Sequence, residues 1–307
     1  MVKIAVLASF NMDLVMHAER RPQAGETLQG EFDMFLGGKG FNQAVAARRL
    51  GAEVVVAGRV GDDEFGRRFI DALDREGIDR RAVVVDRTTG TGVASIIVEP
   101  DGTNTILQAP RANRNVTATD IEHSAAAFAG ADVAMLQLET SADGALAFAR
   151  AMRAGGALVL LNPAPAAPVA NELLAFTDII VPNQLEAEAL AGARLESIDE
   201  ACSVANELRA RGPHTVVITL GERGAIACSP TVRTHEPRIN IEVVDTVGAG
   251  DAFCAALAVR LAEGAGLADA VRFANAAGAL ACTKHGAEPS MPARDDVEEL
   301  LARGVVA

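Results

Sequence analysis

The order of apolar runs in this 307-residue chain predicts an α/β fold in a single domain: a doubly wound, mostly parallel sheet flanked by helices. From residue 117 onward, short β-like runs alternate with helical stretches, and that rhythm builds parallel sheets. Two segments, about 12–36 and 90–110, interrupt it with β-like character of their own. They predict a small second sheet, a lid or a contact surface. Hydrophobic residues make up 50% of the chain, enough for a sizeable core.

Residues 3–9 read as a buried first strand ending at Phe10, Asn11, Met12 and Asp13. Asn and Asp form turns, and they also sit where open α/β sheets bind ligands, past the carboxyl ends of strands. Residues 15–18 and 27–36 look like short strands around a turn at 21–25. A glycine-rich entry, Gly37, Gly38, Lys39 and Gly40, precedes a helix over 41–50. It is not a nucleotide P-loop, because Gly follows the lysine where Ser or Thr is needed. Its exposed N–H groups suit a hydroxyl-rich substrate, and Asn42 lies in the first helical turn.

Residues 53–58 form a second buried strand, and a helix runs to about 76. The acids at 62–64 read as capping of that helix rather than as a metal site. Residues 91–108 alternate around a turn at 100–102, which predicts a β-hairpin. Then follow a helix near 117–129, a strand at 132–138, a helix at 141–154 and strands at 157–161 and 178–181. Helices at 184–191 and 197–211 and a strand at 215–219 continue the pattern. The last helices fall at 252–261, about 266–284 and 295–303. Strand after strand ends in a polar residue: Glu139, Asn162, Asn183 and Thr219. A doubly wound sheet gathers such ends on one edge. Asn183 and Glu186 share one helix face, and an acid there suits a water-mediated magnesium. Gly221 and Gly224 turn the chain into 225–229, open to a flat base or phosphate, or simply closing a hairpin.

The chemistry centres on residues 245–251, Asp-Thr-Val-Gly-Ala-Gly-Asp. A β-like run at 239–244 precedes it and an apolar helix follows. Glycines at a helix start let a ligand approach the free N–H groups, and the helix dipole favours an anion there. Asp251 is then either a helix cap or a base that takes a proton from a hydroxyl attacking a phosphoryl group.

The formal net charge of −13 argues against a nucleic-acid partner. No apolar run is long enough to span a membrane. The four cysteines lack zinc or disulfide spacing, and the histidines show no metal motif. A reduced, cytoplasmic setting is expected.

The stretches at 37–43 and 245–251, with Asn11 to Asp13, 137–139, 162–165, 182–186, 219–224 and 286–290, resemble the ribokinase-like family of sugar and nucleoside kinases, nearly end to end. The resemblance implies ATP-dependent phosphorylation of a sugar's primary hydroxyl, O5 of ribose first. It implies a sugar site of Asn11, Asp13, Gly38, Lys39, Gly40, Asn42 and Glu139. ATP is expected against Asn183, Thr219, Gly221, Gly224, Gly250 and Asn275. Asp251 becomes the base, and Gly248, Ala249, Gly250 and Asp251 the anion hole. Glu186 is expected to position Mg2+. Asp245, Val247, Ala281, Lys284, Gly286 and Ser290 match the positions of a K+ site. A homodimer through the lid is also implied. Phe41 departs from the family at a position that is usually small, and Asn275 at one often taken by His. Kinases of the same fold acting on fructose, a deoxysugar, a keto-deoxy acid or a nucleoside are the near alternatives. A non-catalytic sugar- or nucleotide-binding regulator is the distant one.

Overall fold

The computed structural model describes residues 1–304. Strand β1 (Lys3–Leu7) passes directly into β2 (Asn11–His17) and β3 (Glu31–Gly37), followed by α1 (Lys39–Arg49), β4 (Glu53–Gly61), α2 (Glu64–Glu76) and β5 (Asp79–Asp86). Strands β6 (Gly92–Val98) and β7 (Asn104–Ala109) pair antiparallel, and a 3-10 turn (Arg111–Asn115) leads to α3 (Ala118–His123) and α4 (Ala125–Phe128). Then come β8 (Val133–Leu136), α5 (Ala142–Ala154), β9 (Leu158–Leu161), α6 (Asn171–Ala175), β10 (Ile179–Ile180), α7 (Gln184–Ala191), α8 (Ile198–Arg209) and β11 (Thr215–Thr219). Strands β12 (Ala225–Cys228) and β13 (Arg233–Glu236) precede α9 (Ala249–Ala262), α10 (Leu267–Ala281) and α11 (Arg294–Ala302).

The main sheet has nine strands in the order β13-β12-β11-β10-β9-β8-β1-β4-β5. Pairing is parallel from β11 across to β5 and antiparallel at β11–β12–β13. Side chains alternate between the faces of a strand, and both faces here are buried. Ile4 and Val6 join the core beneath α1, α2, α9 and α10, while Ala5 and Leu7 join the core beneath α5 and α8. The doubly wound expectation is met. The strand order reverses at β1, which pairs with β4 on one side and β8 on the other. That reversal opens a crevice past the carboxyl ends of β1 and β8, the usual ligand position in such sheets.

The second sheet has four strands in the order β3-β2-β6-β7. It grows out of the end of β1, because Asn11 starts β2 rather than a loop. Asn11 and Asp13 therefore lie on an ordered strand that hangs over the crevice.

Several boundaries differ from the expected ones. The run at 239–244 is not a strand. Pro237 carries no backbone N–H, and the segment's backbone tie is Val244 N–H to Cys282 O (2.8 Å), across to the end of α10. Val243 and Val244 are exposed. The helix expected over 117–129 breaks at Ser124 into α3 and α4. Asp63 caps α2, accepting from Gly66 N–H at 2.8 Å, as the acidic run implied. Phe41, the departure from the family pattern, is fully buried. It points into the core, with its ring 5.0 Å from that of Phe69 and 6.2 Å from that of Phe10. Phe41→Ala is expected to cost about 3–5 kcal/mol through lost burial and cavity formation, measured by urea unfolding.

Candidate active site

Two glycine entries aim two helices at the crevice. Gly38, at φ 98°, opens α1, and a Cβ there would lie 2.5 Å from the Ser9 carbonyl oxygen. Gly248, at φ 81°, opens α9, and a Cβ there would meet the Met291 methyl at 2.6 Å. Both backbone angles favour glycine, and at Gly38 the Ser9 backbone also leaves no space for a Cβ, whereas the Met291 methyl at Gly248 can move aside.

Asp251 lies in the first turn of α9 and is buried. Asn42 Nδ2 donates to its Oδ2 (3.0 Å) and Gln43 Nε2 to its Oδ1 (3.1 Å). Burial raises its pKa, against the pull of Lys39 and these two donors. Among the described residues, the N–H groups of Gly250 and Asp251 find no protein acceptor, whereas Ala249 N–H reaches Thr246 O at 3.3 Å. Free amides at the positive end of a helix form an anion site.

Glu139 closes the other side of the crevice. Its Oε2 accepts from Ser9 Oγ (2.6 Å) and Lys39 N–H (2.9 Å), and its Oε1 from Gln108 Nε2 (3.2 Å) on β7. Asp13 is half-buried, and its pKa is pushed up to about 7, first by desolvation, then by Glu139 and Asp251, against the pull of Lys39. Burial lowers the Lys39 pKa, but Asp251, Glu139 and Glu186 more than reverse this, so the ammonium is retained.

Two buried polar atoms here have no partner: Asn11 Nδ2, a donor, and Asn42 Oδ1, an acceptor. Asn11 is held by Asn113, whose Nδ2 donates to Asn11 Oδ1 (2.9 Å) and to Phe10 O (3.0 Å). Unpaired buried groups are costly. A donor and an acceptor left over near Asp251 suit a ligand rich in hydroxyls, which offer both roles.

Asn11, Asp13, Gly38, Lys39, Gly40, Asn42, Glu139 and Asp251 therefore converge. Of the residues expected at the nucleotide, Gly250 lies in the first turn of α9 beside Asp251 and Asn275 on α10, while Asn183, Thr219, Gly221 and Gly224 lie further along the sheet edge. Asn183 and Glu186 form a reciprocal cap of α7, with Asn183 N–H and Nδ2 each donating to Glu186 at 2.9 Å. Burial raises the Glu186 pKa, and the Asn183 N–H and Lys39 oppose it. Asn183 bridges to Thr219. Gly221 opens a 3-10 turn, and a Cβ at Gly224 would clash with the Glu236 carbonyl oxygen at 2.0 Å. Asn275 donates to Pro237 O at 2.6 Å, so it ties α10 to the segment after β13.

Asp245 joins the two segments expected at K+: its Oδ1 accepts from Val247 N–H (3.0 Å) and its Oδ2 from Gly286 N–H (2.9 Å). Val247 is exposed, Lys284 sits just past α10, which ends at Ala281, and Ser290 Oγ donates to Ala287 O at 2.8 Å. Among the described residues no group of three His, Cys, Asp or Glu gathers as for a metal. A potassium site built from carbonyl oxygens needs none.

Sequence reasoning passed over Ser9, Gln43, Gln108 and Asn113. Gln43 had a signal: consecutive amides, Asn42 and Gln43, on an otherwise alanine-rich buried helix. Gln108 and Asn113 had none, because only tertiary pairing brings them to the crevice.

A buried carboxylate beside free helix N–H groups, with spare hydrogen-bonding atoms next to it, is equipment for moving a phosphoryl group onto an alcohol. Residues 1–294 match the pfkB family of carbohydrate kinases, and the chain belongs to that family. It is an ATP-dependent sugar kinase. It is 36% identical over 299 residues to the ribokinase of Haemophilus influenzae, covering 97% of this chain and 98% of that one. It is 33% identical over 301 residues to the deoxyribokinase of Salmonella typhi, covering 97% and 98%. The structure of Arabidopsis thaliana ribokinase complexed with ribose and ATP superposes with a TM-score of 0.91 at 31% identity, covering 98% of this chain and 99% of that one.

The Asp13 shift has a consequence for stability. Folded, Asp13 keeps its proton to about pH 7, against 3.8 as the ordinary value. Between those values the folded state binds more protons, so stability falls as pH rises from about 4 to about 7. In urea titrations, Asp13→Asn is expected to flatten that decline.

Proposed function

We propose that this chain transfers the γ-phosphoryl group of ATP to the primary O5 hydroxyl of D-ribose. The observation that carries the reading is the meeting of Asp251, the free N–H groups of α9 and the unpaired Asn11 and Asn42 atoms at one crevice. The relatives named ribokinase, and the superposed complex with ribose and ATP, support ribose as the acceptor. A deoxyribokinase at similar identity makes 2-deoxyribose the second reading.

Phosphoryl transfer needs alignment and charge stabilisation more than covalent help. Asn11, Asp13, Gly38, Lys39, Gly40, Asn42 and Glu139 orient the sugar. Asp251 takes the proton of the attacking hydroxyl, and burial helps by raising its basicity. The N–H groups from Gly248 to Asp251 stabilise charge on the moving phosphoryl group; among the described residues only that of Ala249 is already given to a protein acceptor, Thr246 O. ATP lies along Asn183, Thr219, Gly221, Gly224, Gly250 and Asn275. The small sheet acts as a lid over 12–36 and 90–110 of one domain, excluding water as a competing acceptor.

Mg2+, when bound, offsets phosphate charge. Glu186 suits a water-mediated contact, since its carboxylate oxygens keep lone pairs beyond those given to Asn183. K+ would sit among Asp245, Val247, Ala281, Lys284, Gly286 and Ser290, where it would firm the start of α9. Asp245 already holds those segments together. The lid is also the surface for a homodimer. Phe32, Ile106 and Leu107 on it are 54%, 57% and 77% exposed, and open strand edges tend to be paired or covered. The working compartment is the cytoplasm.

A coupled ADP-release assay over ribose, 2-deoxyribose, fructose, a keto-deoxy acid and nucleosides tests the substrate. Ribose is expected to give the highest kcat/KM. Turnover of none of them would leave a non-catalytic regulator. Asp251→Asn is expected to lower kcat by about 10²–10⁴ while ATP still binds; near-normal turnover would remove Asp251 as base. Replacing potassium by a large organic cation is expected to lower activity in the same assay, and unchanged activity would count against the monovalent site.

A further inference from the structure

The hydrogen bonds behind Asp251 form a buried relay that the sugar and nucleotide readings do not use. Gln137 Nε2 donates to Gln43 Oε1 at 2.6 Å. Gln43 Nε2 donates to Asp251 Oδ1 at 3.1 Å and to Asn162 Oδ1 at 3.3 Å. Asn162 Nδ2 donates to the Val181 carbonyl at 2.9 Å. Gln43, Gln137 and Asn162 are all buried.

The sense of this relay is fixed by its far end. A backbone carbonyl can only accept, so the Asn162 amide group faces Val181 and its oxygen faces Gln43. Gln43 must then turn its NH2 group inward, toward both Asn162 and Asp251. Its own oxygen is left for Gln137. The residues just past β8, β9 and β10 thus set the orientation of one amide on α1. That amide holds one oxygen of the carboxylate on α9. Asn42 holds the other oxygen, and its place in the sugar site exposes it to ligand.

We infer that Gln43 is a positioning residue for phosphoryl transfer: it locks the Asp251 carboxylate in one rotamer and keeps it ionised for proton abstraction. This rests on the reading of Asp251 as base. A hydrogen bond donated to a carboxylate favours its charged form, and burial disfavours it. Other groups act on Asp251 from the elements packed around it: Lys39 on α1, Glu139 past β8, Glu186 on α7, Cys254 one turn along α9 and Asp13 on β2. Gln43 differs from these in donating directly to Asp251 from a fully buried position.

The experiment compares pH profiles of kcat for the wild type, Gln43→Met and Gln43→Glu, with the best sugar from the panel. Thermal melting is followed in parallel. The base works when ionised, so activity falls as pH drops through its pKa. Loss of the Gln43 donor is expected to move that acidic limb upward by roughly 1–2 pH units, the equivalent of one hydrogen bond to a charged group. At pH 7 kcat is expected to fall by about 10-fold to 10²-fold, while sugar KM changes by less than about 3-fold. Gln43→Glu still accepts from Gln137 but sets a like charge beside Asp251, and is expected to move the limb further. A limb that stays in place in a folded variant overturns the inference. If Gln43→Met does not fold, Gln43→Glu decides. Loss of the fold in both makes Gln43 a structural residue and overturns it too. Asp251→Asn separates the two levels. Near-normal turnover there removes the base itself. An inactive Asp251→Asn with an unshifted Gln43 profile removes only the positioning role.

Discussion

A carboxylate is carried into the interior at the start of a largely apolar helix, α9. Beyond Asp251, α9 buries every residue from Ala252 to Val259, so the helix cannot tilt to return the acid to solvent. Removing a charge from water is expensive unless hydrogen bonds and opposite charge compensate. Asn42, Gln43 and Lys39 supply that compensation, and all three belong to the first two turns of α1. The two helices pack closely, and each begins at a glycine with positive φ. The α1–α9 contact thus places the acid, its donors and its nearby cation in one step, and the nine-stranded sheet fixes where that contact lies.

The same constraint explains the crowding of charge above it. Glu139 and Asp13 come from opposite sheets, and Gln108 on β7 reaches across to Glu139. Three carboxyl groups around one ammonium cannot all ionise at no cost, and Asp13 takes the strain with its pKa near 7. The small sheet is therefore coupled electrostatically to the floor as well as hydrogen-bonded to it. On the proposed reading a sugar hydroxyl placed between them would offer both donor and acceptor, matching the unpaired atoms of Asn11 and Asn42.

Local pattern made much of this legible. The strand–helix rhythm, the hairpin at 91–108, the cap at Asp63 and both glycine entries follow from residue type and spacing. The misses share a cause. The run at 239–244 carries β-branched residues, but no neighbouring strand is present to pair with it. Phe41, large where the family resemblance expects a small residue, begins the predicted helix, and one residue of helical rotation from Asn42 turns it into the core with Phe10 and Phe69. Gln108 and Asn113 act only because β7 and the turn after it fold back over β1, a contact of long sequence separation. Asn275 and Gly224 have structural duties, at Pro237 and Glu236, that no motif announces.

The charge balance of the crevice also bears on which acceptor fits. Asp13, Glu139 and Asp251 face Lys39 alone in the set described, and Lys39 is already drawn to the carboxylates. A substrate bearing its own carboxylate, such as a keto-deoxy acid, would bring another negative charge into a space where Asp13 already resists ionising. Like charges brought together in a buried site disfavour one another's ionised forms. A neutral polyol meets no such penalty. On the proposed reading its developing negative charge would arise at one oxygen, next to Asp251, and pass to a phosphoryl group facing the α9 amides. On that reading the site is negative where the acceptor would rest and presents free α9 amides where the phosphate would arrive, a division that would suit uncharged sugars for a reason independent of pocket size.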